Sequence, residues 1–278
     1  MRQIFQATEL QAVFDERGYV VVDLLSMSDI ERLIEIHDDS TAELVSGPYL
    51  FTAMSPDPVH RQTVSNGIRS VLAPRLSGLL QGYRPVLGNF FCKLPNCDSE
   101  FHIHQDWSFV DETVHASVTI WCPLQQVNEE NGTLAVVPGS HRLTSHPRGF
   151  VTRFPYSELE PMLKAKYSCH LSPKMGQAVF FHQRMFHWSR PNETSERRLA
   201  FNCFVAPEEA MLLFPHVDPK RHPDGIEIFA ADEELLTSFI LGERPNNARS
   251  LGWVDSKPEP LTESVLEREL SRLGSCGP

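Results

Sequence analysis

The sequence predicts an all-β core, a sandwich or a barrel, with helices packed on its outside. From about residue 86 to residue 206, short runs of β-branched and aromatic residues are separated by turn residues such as Asn131-Gly132, and many short strands at this spacing are typical of all-β folds. The residues before this region instead repeat their apolar positions at helical spacing. With 278 residues, of which 41% are hydrophobic, we expect a single domain over residues 1–278.

The N-terminal part is predicted to be helical. Two capping-box patterns, at 8–11 and 28–31, mark helix starts. The first helix is expected to end near Gly18, and the second carries Ile30, Leu33, Ile34 and His37. Residues 19–25 form a β-branched run that predicts a short strand between these helices. A third helix is expected over 68–80, where Pro74 interrupts the pattern.

The β-rich region contains seven predicted strands. They cover residues 86–93, 101–109, 116–124, 134–137, 177–183, 185–190 and 197–205. Residues 207–260 are rich in proline and charge, and we expect an irregular segment there that folds over the barrel mouth as a possible lid. Residues 261–273 predict a final amphipathic helix.

The composition excludes several classes of partner. The chain has 25 Lys and Arg against 36 Asp and Glu, a net charge of −11, so we expect no nucleic-acid partner and no membrane partner. No apolar run is long enough to span a bilayer, and the N-terminus has no secretory signal pattern. The six cysteines form no CxxC pair, which favours a cytoplasmic protein with free thiols. The oligomeric state, monomer or homodimer, is left open.

Twelve histidines raise the question of a metal site. The His-x-Asp tripeptide occurs four times, beginning at residues 37, 104, 216 and 222. Residues i and i+2 share a face on a strand, where both can bind one metal, but they diverge by about 200° on a helix. His37 lies in a predicted helix, and the last two tripeptides lie among prolines. His104 and Asp106, in a predicted strand, are therefore the candidate ligands.

A second histidine-bearing strand region supplies the third candidate ligand, either His187 or His182. If a hairpin is centred near residues 193–194, Arg198 stands opposite Ser189 and on the same side as His187. A guanidinium and a hydroxyl beside a metal suit a bound dicarboxylate, which favours His187. Two histidines and one carboxylate leave open positions suited to ferrous iron and O2 chemistry, although zinc favours such ligands too.

Four blocks of sequence, taken together, are more specific than any of these patterns. They are His104-Gln105-Asp106-Trp107, Thr119-Ile120-Trp121, the run from Asn131-Gly132-Thr133 to Pro138-Gly139-Ser140-His141-Arg142, and Phe186-His187-Trp188-Ser189 followed by Arg198. In this order they resemble the phytanoyl-CoA dioxygenase family, over residues 10–205. The resemblance implies a double-stranded β-helix, the cupin-like jelly roll, with its core at about 86–206. It also implies Fe(II) as cofactor, with 2-oxoglutarate and O2 as cosubstrates.

The resemblance gives a role to seven residues. The metal ligands and catalytic set would be His104, Asp106 and His187. The 2-oxoglutarate contacts would be Arg198 on the far carboxylate, its hydroxyl partner Ser189, the pocket-lining Trp121, and Asn89. Related halogenases lack the carboxylate ligand, so the presence of Asp106 argues against halogenation.

The implied activity is oxidation, most simply hydroxylation, of an aliphatic C–H bond in a small-molecule metabolite or natural-product intermediate. Succinate and CO2 would be the coproducts. His102, on the strand face of His104, and Trp107 are candidate substrate contacts, with core packing as the alternative for both. Lys93 and Arg61 are expected to be solvated surface charges, with contact to an anionic substrate as the alternative. Two other functions stay open: a cupin-like metalloenzyme that does not use 2-oxoglutarate, and a catalytically silent barrel with a binding role.

Overall fold

The computed structural model describes residues 2–40, 47–150, 154–240 and 242–271. Its helices are α1 (Thr8–Arg17), α2 (Met27–Ser40), α3 (Pro58–Leu76), α4 (Glu160–Met162), α5 (Glu233–Ser238) and α6 (Glu263–Leu270). Its strands are β1 (Tyr19–Asp23), β2 (Tyr49–Phe51), β3 (Tyr83–Lys93), β4 (Phe101–His104), β5 (Val118–Pro123), β6 (Leu134–Val136), β7 (Cys169–His170), β8 (Gln177–His182), β9 (His187–Ser189), β10 (Arg198–Pro207), β11 (Leu212–Val217), β12 (Gly225–Ala231) and β13 (Ser250–Asp255). They form a six-stranded sheet β1-β8-β5-β10-β3-β2, a four-stranded sheet β4-β9-β6-β7 and a three-stranded sheet β11-β12-β13.

The six-stranded and four-stranded sheets pack face to face, which gives a jelly roll. One core cluster joins their inner faces, with Trp121 and Phe181 from the first sheet and Leu134 and Val136 from the second. Helices α1, α2 and α3 cover the outer face of the six-stranded sheet, and α6 packs against residues of the four-stranded sheet. The prediction of an all-β core with flanking helices is confirmed.

Strand β10 shows how the two-residue period of a strand separates core from cavity. The odd-numbered residues from 199 to 205 pack against the helices. Arg198, Asn202 and Phe204 point the opposite way and line a cavity between the two sheets. The same alternation positions the site residues that lie on strands.

The helices begin at other residues than the capping boxes predict. Thr8 is the first helical residue of α1, and its N-cap makes no side-chain hydrogen bond. The reciprocal box at α2 is formed by Ser26 and Asp29: the Asp29 amide donates to Ser26 Oγ (3.3 Å), and the Ser26 amide donates to Asp29 Oδ2 (2.8 Å). Helix α3 begins well before residue 68, because the Asp57 carboxylate caps it by accepting from the Val59 amide (2.9 Å).

Each of the seven predicted strands is present, most of them shorter than predicted, and β2 and β7 are additional. One boundary matters for the site. Strand β4 ends at His104, so Asp106 lies in the loop after the strand, contrary to the prediction. The final helix lies within the predicted range 261–273, of which residues 272 and 273 are outside the described residues.

The prediction of an irregular segment over 207–260 is wrong. This part of the chain forms β11, β12, α5 and β13, with His216 inside β11. The three-stranded sheet packs behind one cavity wall: Leu212, Phe214 and Phe229 join a core cluster with Leu87 and Phe204. No described residue of 207–260 lines the cavity, so its role as a lid stays a prediction.

Lys93 and Arg61 are buried, which overturns the expectation of solvated charges. The Lys93 ammonium donates to the carbonyl oxygens of Ser99, Ser189 and Arg190. The Arg61 guanidinium donates to carbonyl oxygens at the C-terminal end of α5. Charged groups can be buried at tolerable cost when their hydrogen bonds are satisfied in this way.

Cysteine states agree only partly with the prediction of free thiols. Cys92, Cys97, Cys122 and Cys203 are free, whereas Cys169 is disulfide-bonded, and Cys276 lies outside the described residues.

Among the described residues, no helix combines the length and apolar character that crossing a bilayer requires. The cytoplasmic location stays a prediction.

Two buried histidines make the fold sensitive to acid. His141 and His182 are 3% and 1% exposed, with ring centroids 5.5 Å apart. Burial lowers the pKa of His141 to about 4 and the pKa of His182 well below its usual value of 6.5. Below about pH 6.5 the two histidines bind protons in the unfolded chain but stay neutral in the folded chain. The free energy of unfolding therefore falls as the pH falls.

We expect the free energy of unfolding to be retained above about pH 6.5 and to drop by about 3 kcal/mol by about pH 4 from His141 alone. Urea unfolding at a series of pH values measures this loss. His182→Asn keeps an acceptor for the Arg184 amide, which donates to His182 Nδ1, and should show a shallower loss with acid. His222→Asn, on an exposed histidine, is the control. An unchanged slope in His182→Asn would contradict the prediction.

Candidate functional site

The candidate metal ligands converge where β4 meets β9. His104, the last residue of β4, is paired with His187, the first residue of β9. Asp106 Oδ1 lies 3.6 Å from His187 Nε2. One ligand atom from each of the three residues lies within 4.8 Å of the other two. The structure therefore brings the three predicted ligands together, whereas His182, the alternative third ligand, stacks on Phe14 and is not in this group.

Backbone carbonyls orient both imidazoles. His104 Nδ1 lies 2.9 Å from the carbonyl oxygen of His102, and His187 Nδ1 lies 3.0 Å from that of Met185. Because a carbonyl can only accept, each Nδ1 carries the proton and each Nε2 keeps its lone pair for a metal. Burial, together with the neighbouring His187, lowers the pKa of His104 well below its usual range, which favours the neutral form that binds metals. Two neutral imidazoles and one carboxylate thus fit a divalent cation.

The Asp106 carboxylate and backbone are held from three directions. Thr119 Oγ1 on β5 donates to Asp106 Oδ2. The Asp106 amide donates to the carbonyl oxygen of Gln183 (3.2 Å), and Arg148 Nε donates to the carbonyl oxygen of Asp106 (2.8 Å). Sequence reasoning missed Thr119 and Arg148. Thr119 could have been found, because it shares a strand face with Trp121 two residues later; no local pattern indicates Arg148.

Removal of the Thr119 hydroxyl should weaken metal binding without removing a ligand. In Thr119→Val the Asp106 carboxylate loses the donor that fixes its orientation, and such outer partners contribute about 10-fold to 100-fold to metal affinity. We expect the dissociation constant for Fe(II), measured by anaerobic calorimetry, to rise about tenfold or more. Thr113→Val, which removes an exposed loop hydroxyl, should leave it unchanged. Equal affinities in both variants would show that Thr119 does not orient Asp106.

Arg198 is a buried cation without a carboxylate partner among the described residues. The residue is 1% exposed, and its Nε and Nη1 have no hydrogen-bond partner. The guanidinium carbon lies 5.6 Å from the centre of the Phe91 ring and 5.7 Å from that of Trp121. Burial lowers the pKa of Arg198 to about 10, so it stays charged at neutral pH. A buried charge with unpaired donors is costly unless an anion completes it, and a carboxylate matches its geometry.

All predicted site residues line one cavity of about 660 Å³ between the two sheets. It contains the three candidate metal ligands, the four residues assigned to the cosubstrate and the two candidate substrate contacts, namely His104, Asp106, His187, Arg198, Ser189, Trp121, Asn89, His102 and Trp107. Metal ligands come from the four-stranded sheet and its loop, whereas Arg198, Trp121 and Asn89 come from the six-stranded sheet.

The hairpin used to place Arg198 opposite Ser189 does not exist. Strand β9 pairs with β4 and β6, whereas β10 pairs with β3 and β5, and Arg198 is in register with Lys93. Strands β9 and β10 follow each other in the sequence but belong to different sheets. Arg198 and Ser189 nevertheless line the same cavity, because the two sheets face each other across it.

His102 and Trp107 both line the cavity but differ in exposure. The His102 side chain is 73% exposed, and its Nδ1 lies 3.1 Å from Glu160 Oε1, so the alternative of core packing is wrong for His102. Trp107 is partly buried and packs against the core cluster that contains Leu87 and Phe204. It therefore contributes both to the core and to the cavity lining. Glu100, His102 and Glu160 bring ligand-type atoms within 4.8 Å of one another, but both carboxylates pair with the Lys164 ammonium.

Comparison with known families agrees with this geometry. The phytanoyl-CoA dioxygenase (PhyH) family model matches residues 14–200, which is more than half of the chain. Phytanoyl-CoA dioxygenase from Arabidopsis thaliana is 28% identical over 159 residues, covering 54% of this chain and 53% of the relative. The chain thus spans about half the length of this curated relative.

Two solved structures share the fold. The non-heme alpha ketoglutarate dependent carbocyclase SnoK from nogalamycin biosynthesis superposes with a TM-score of 0.53 at 22% identity, covering 74% of this chain and 86% of SnoK. The epimerase SnoN in complex with Fe3+, alpha ketoglutarate and nogalamycin RO has a TM-score of 0.52 at 23% identity, covering 74% and 85%. Both likenesses support the jelly-roll assignment.

Proposed function

This chain belongs to the phytanoyl-CoA dioxygenase family, and we propose that it is an Fe(II)- and 2-oxoglutarate-dependent dioxygenase. It would oxidise, most simply hydroxylate, an aliphatic C–H bond of a small-molecule metabolite or natural-product intermediate, with succinate and CO2 as coproducts. One observation carries the proposal: a cluster of three metal-ligand atoms and a buried, unpaired arginine line the same cavity.

His104, Asp106 and His187 would hold the metal on one side and leave its other positions open. Fe(II) bound there would supply the activation of O2 and the oxidative decarboxylation of 2-oxoglutarate. The two Nδ1–H groups, fixed on backbone carbonyls, keep the imidazole lone pairs aimed at the metal position. The Thr119 hydroxyl holds the Asp106 carboxylate in the same direction.

Arg198 would bind the far carboxylate of 2-oxoglutarate through two parallel hydrogen bonds. Ser189, whose side chain lines the cavity on β9, would add a hydroxyl to the same carboxylate. The rings of Phe91 and Trp121 lie on the guanidinium and keep water away from the ion pair, which strengthens it. Asn89, on β3 next to β10, also lines the cavity and would contact the same cosubstrate.

Anaerobic titration tests the proposal. Metal-free protein receives Fe(II) and then 2-oxoglutarate, while a weak visible charge-transfer band is followed. The expected result is a band that appears only after 2-oxoglutarate, with slow succinate formation once O2 is admitted. Tight metal binding without a band would favour a cupin-like metalloenzyme that does not use 2-oxoglutarate. Failure to bind metal would favour a silent barrel.

A further inference from the structure

We propose that the substrate side of this cavity accepts an uncharged, largely apolar small molecule and excludes CoA thioesters and other phosphorylated compounds. The inference rests on the proposed function, since it names the class of molecule that the oxidised C–H bond belongs to. Three features of the cavity carry it: an aromatic wall, an arginine whose donors are already used, and a negatively charged rim.

The aromatic wall consists of Leu87, Trp107, Phe109, Phe150 and Phe204, all of which line the cavity. The ring centres of Trp107 lie 5.5 Å from Phe109 and 5.2 Å from Phe150, and Phe109 lies 4.7 Å from Phe204. These rings form a continuous surface without a charged group. Such a surface gains free energy by covering apolar rings or alkyl groups, and gains none from phosphates.

Arg148 cannot serve as a phosphate site. Among the described residues that line the cavity, Arg148 and Arg198 are the permanent cations. Arg148 is 3% exposed, and its three nitrogens donate to the carbonyl oxygens of Asp106 (2.8 Å) and His146 (2.7 Å) and to the Glu112 carboxylate (2.7 Å). With Arg198 reserved for the dicarboxylate, no described cation of the cavity is free to bind a second anion.

Among the described residues, the charged cluster at the rim beside β4 carries more negative than positive charge. It consists of Glu100, His102, Glu160 and Lys164, in which one ammonium lies 2.5 Å and 2.6 Å from two carboxylates. Hydrogen bonds from Lys164 and His102 outweigh burial and keep the pKa of Glu160 below its usual value, so the Glu160 carboxylate is ionised at neutral pH. A phosphorylated substrate entering here would meet a net negative charge, which repels it.

Equilibrium dialysis of three matched probes tests this inference. The probes share one bicyclic ring: 2-naphthalenemethanol is neutral, 2-naphthylmethylamine is cationic, and 2-naphthoyl-CoA is anionic. Each is dialysed anaerobically against the full chain, both metal-free and loaded with Fe(II) and 2-oxoglutarate. We expect the alcohol to bind at least about tenfold more tightly than the CoA ester and more tightly than the amine. Tighter binding of the ester or the amine, or binding of neither ester nor alcohol, would overturn the inference.

Two variants with matched controls test whether the aromatic wall and the rim determine which probe binds. Trp107→Ala should weaken binding of the alcohol about tenfold, because one stacking ring is lost, whereas Trp253→Ala, outside the cavity, should not. Glu160→Gln removes one negative charge from the rim and leaves Lys164 paired with Glu100 alone, so it should raise the affinity for the CoA ester several-fold. Glu158→Gln, at a residue that does not line the cavity, should leave this affinity unchanged. Glutamine keeps the size of the partly buried Glu160 side chain, so this variant tests the inference even if Trp107→Ala fails to fold.

The two proposals fail separately. Dialysis needs no turnover, so binding of the alcohol without any charge-transfer band would overturn the oxygenase alone. A band and succinate formation, together with preference for the CoA ester, would overturn the substrate class alone.

Discussion

His187→Ala is expected to raise the dissociation constant for Fe(II) by more than about a hundredfold and to reduce succinate formation to background. Removing a ligand costs more than removing an outer partner, and outer partners alone account for about 10-fold to 100-fold. His187 cannot be replaced from nearby, since the only other members of its described ligand cluster are His104 and Asp106. Anaerobic calorimetry gives the affinity, and consumption of 2-oxoglutarate gives the activity.

His222→Ala is the matched control for this prediction, because His222 lies in a separate part of the fold, stacked on Trp253. It should bind Fe(II) and turn over like the unmodified chain. Wild-type metal affinity in His187→Ala would remove His187 from the ligand set and with it the proposed centre. A parallel measurement of thermal unfolding separates loss of a ligand from loss of the fold.

Arg198→Met is expected to raise the KM for 2-oxoglutarate by about a hundredfold or more while leaving Fe(II) affinity unchanged. Methionine keeps much of the length of the side chain but not its charge. Breaking a buried charge pair by removing one partner costs about 3–5 kcal/mol, and about 1.4 kcal/mol corresponds to a factor of ten. The metal ligands come from the other sheet, so their geometry should be preserved. Steady-state kinetics at saturating O2 measures the change.

A second cosubstrate sharpens this test. 2-Oxopentanoate lacks the far carboxylate, so Arg198→Met should lose little activity with it compared with the loss on 2-oxoglutarate. Arg197→Met, at the neighbouring exposed position paired with Asp38, serves as control and should retain the KM. If Arg198→Met kept the KM for 2-oxoglutarate, Arg198 would not be the carboxylate partner.

Much of the site could be predicted from sequence because its geometry is local. The two-residue spacing of His104 and Asp106 and the period of β10 each depend on a few consecutive residues. Strand pairing is not local, and the hairpin assumed for Arg198 is therefore wrong although Arg198 lines the expected cavity. Strands β9 and β10 are neighbours in sequence but lie in different sheets, and no local sequence pattern indicates which partner a strand pairs with.

Buried charged residues also made parts of the fold hard to predict from the sequence. Glu227 gives β12 the appearance of a solvated segment, yet it is buried and accepts bonds from Arg244 at 2.8 and 2.9 Å. Lys93 and Arg61 are also buried, and they donate hydrogen bonds to backbone carbonyl oxygens. The sequence shows which residues are charged but not which groups they pair with. Sequence analysis therefore places charged residues on the surface even when their partners allow them to be buried.

The three-stranded sheet stands behind the aromatic wall without lining the cavity. Its strand β11 donates from the Leu213 amide to the carbonyl oxygen of Phe109 (2.8 Å), and its apolar residues back Leu87 and Phe204. Substitutions in this sheet can therefore change the packing behind Leu87 and Phe204 without replacing a residue that lines the cavity. Substrate selectivity can then change during evolution through substitutions that never touch a substrate. The residues assigned to the metal and to 2-oxoglutarate, which belong to the other two sheets and the loop after β4, are retained.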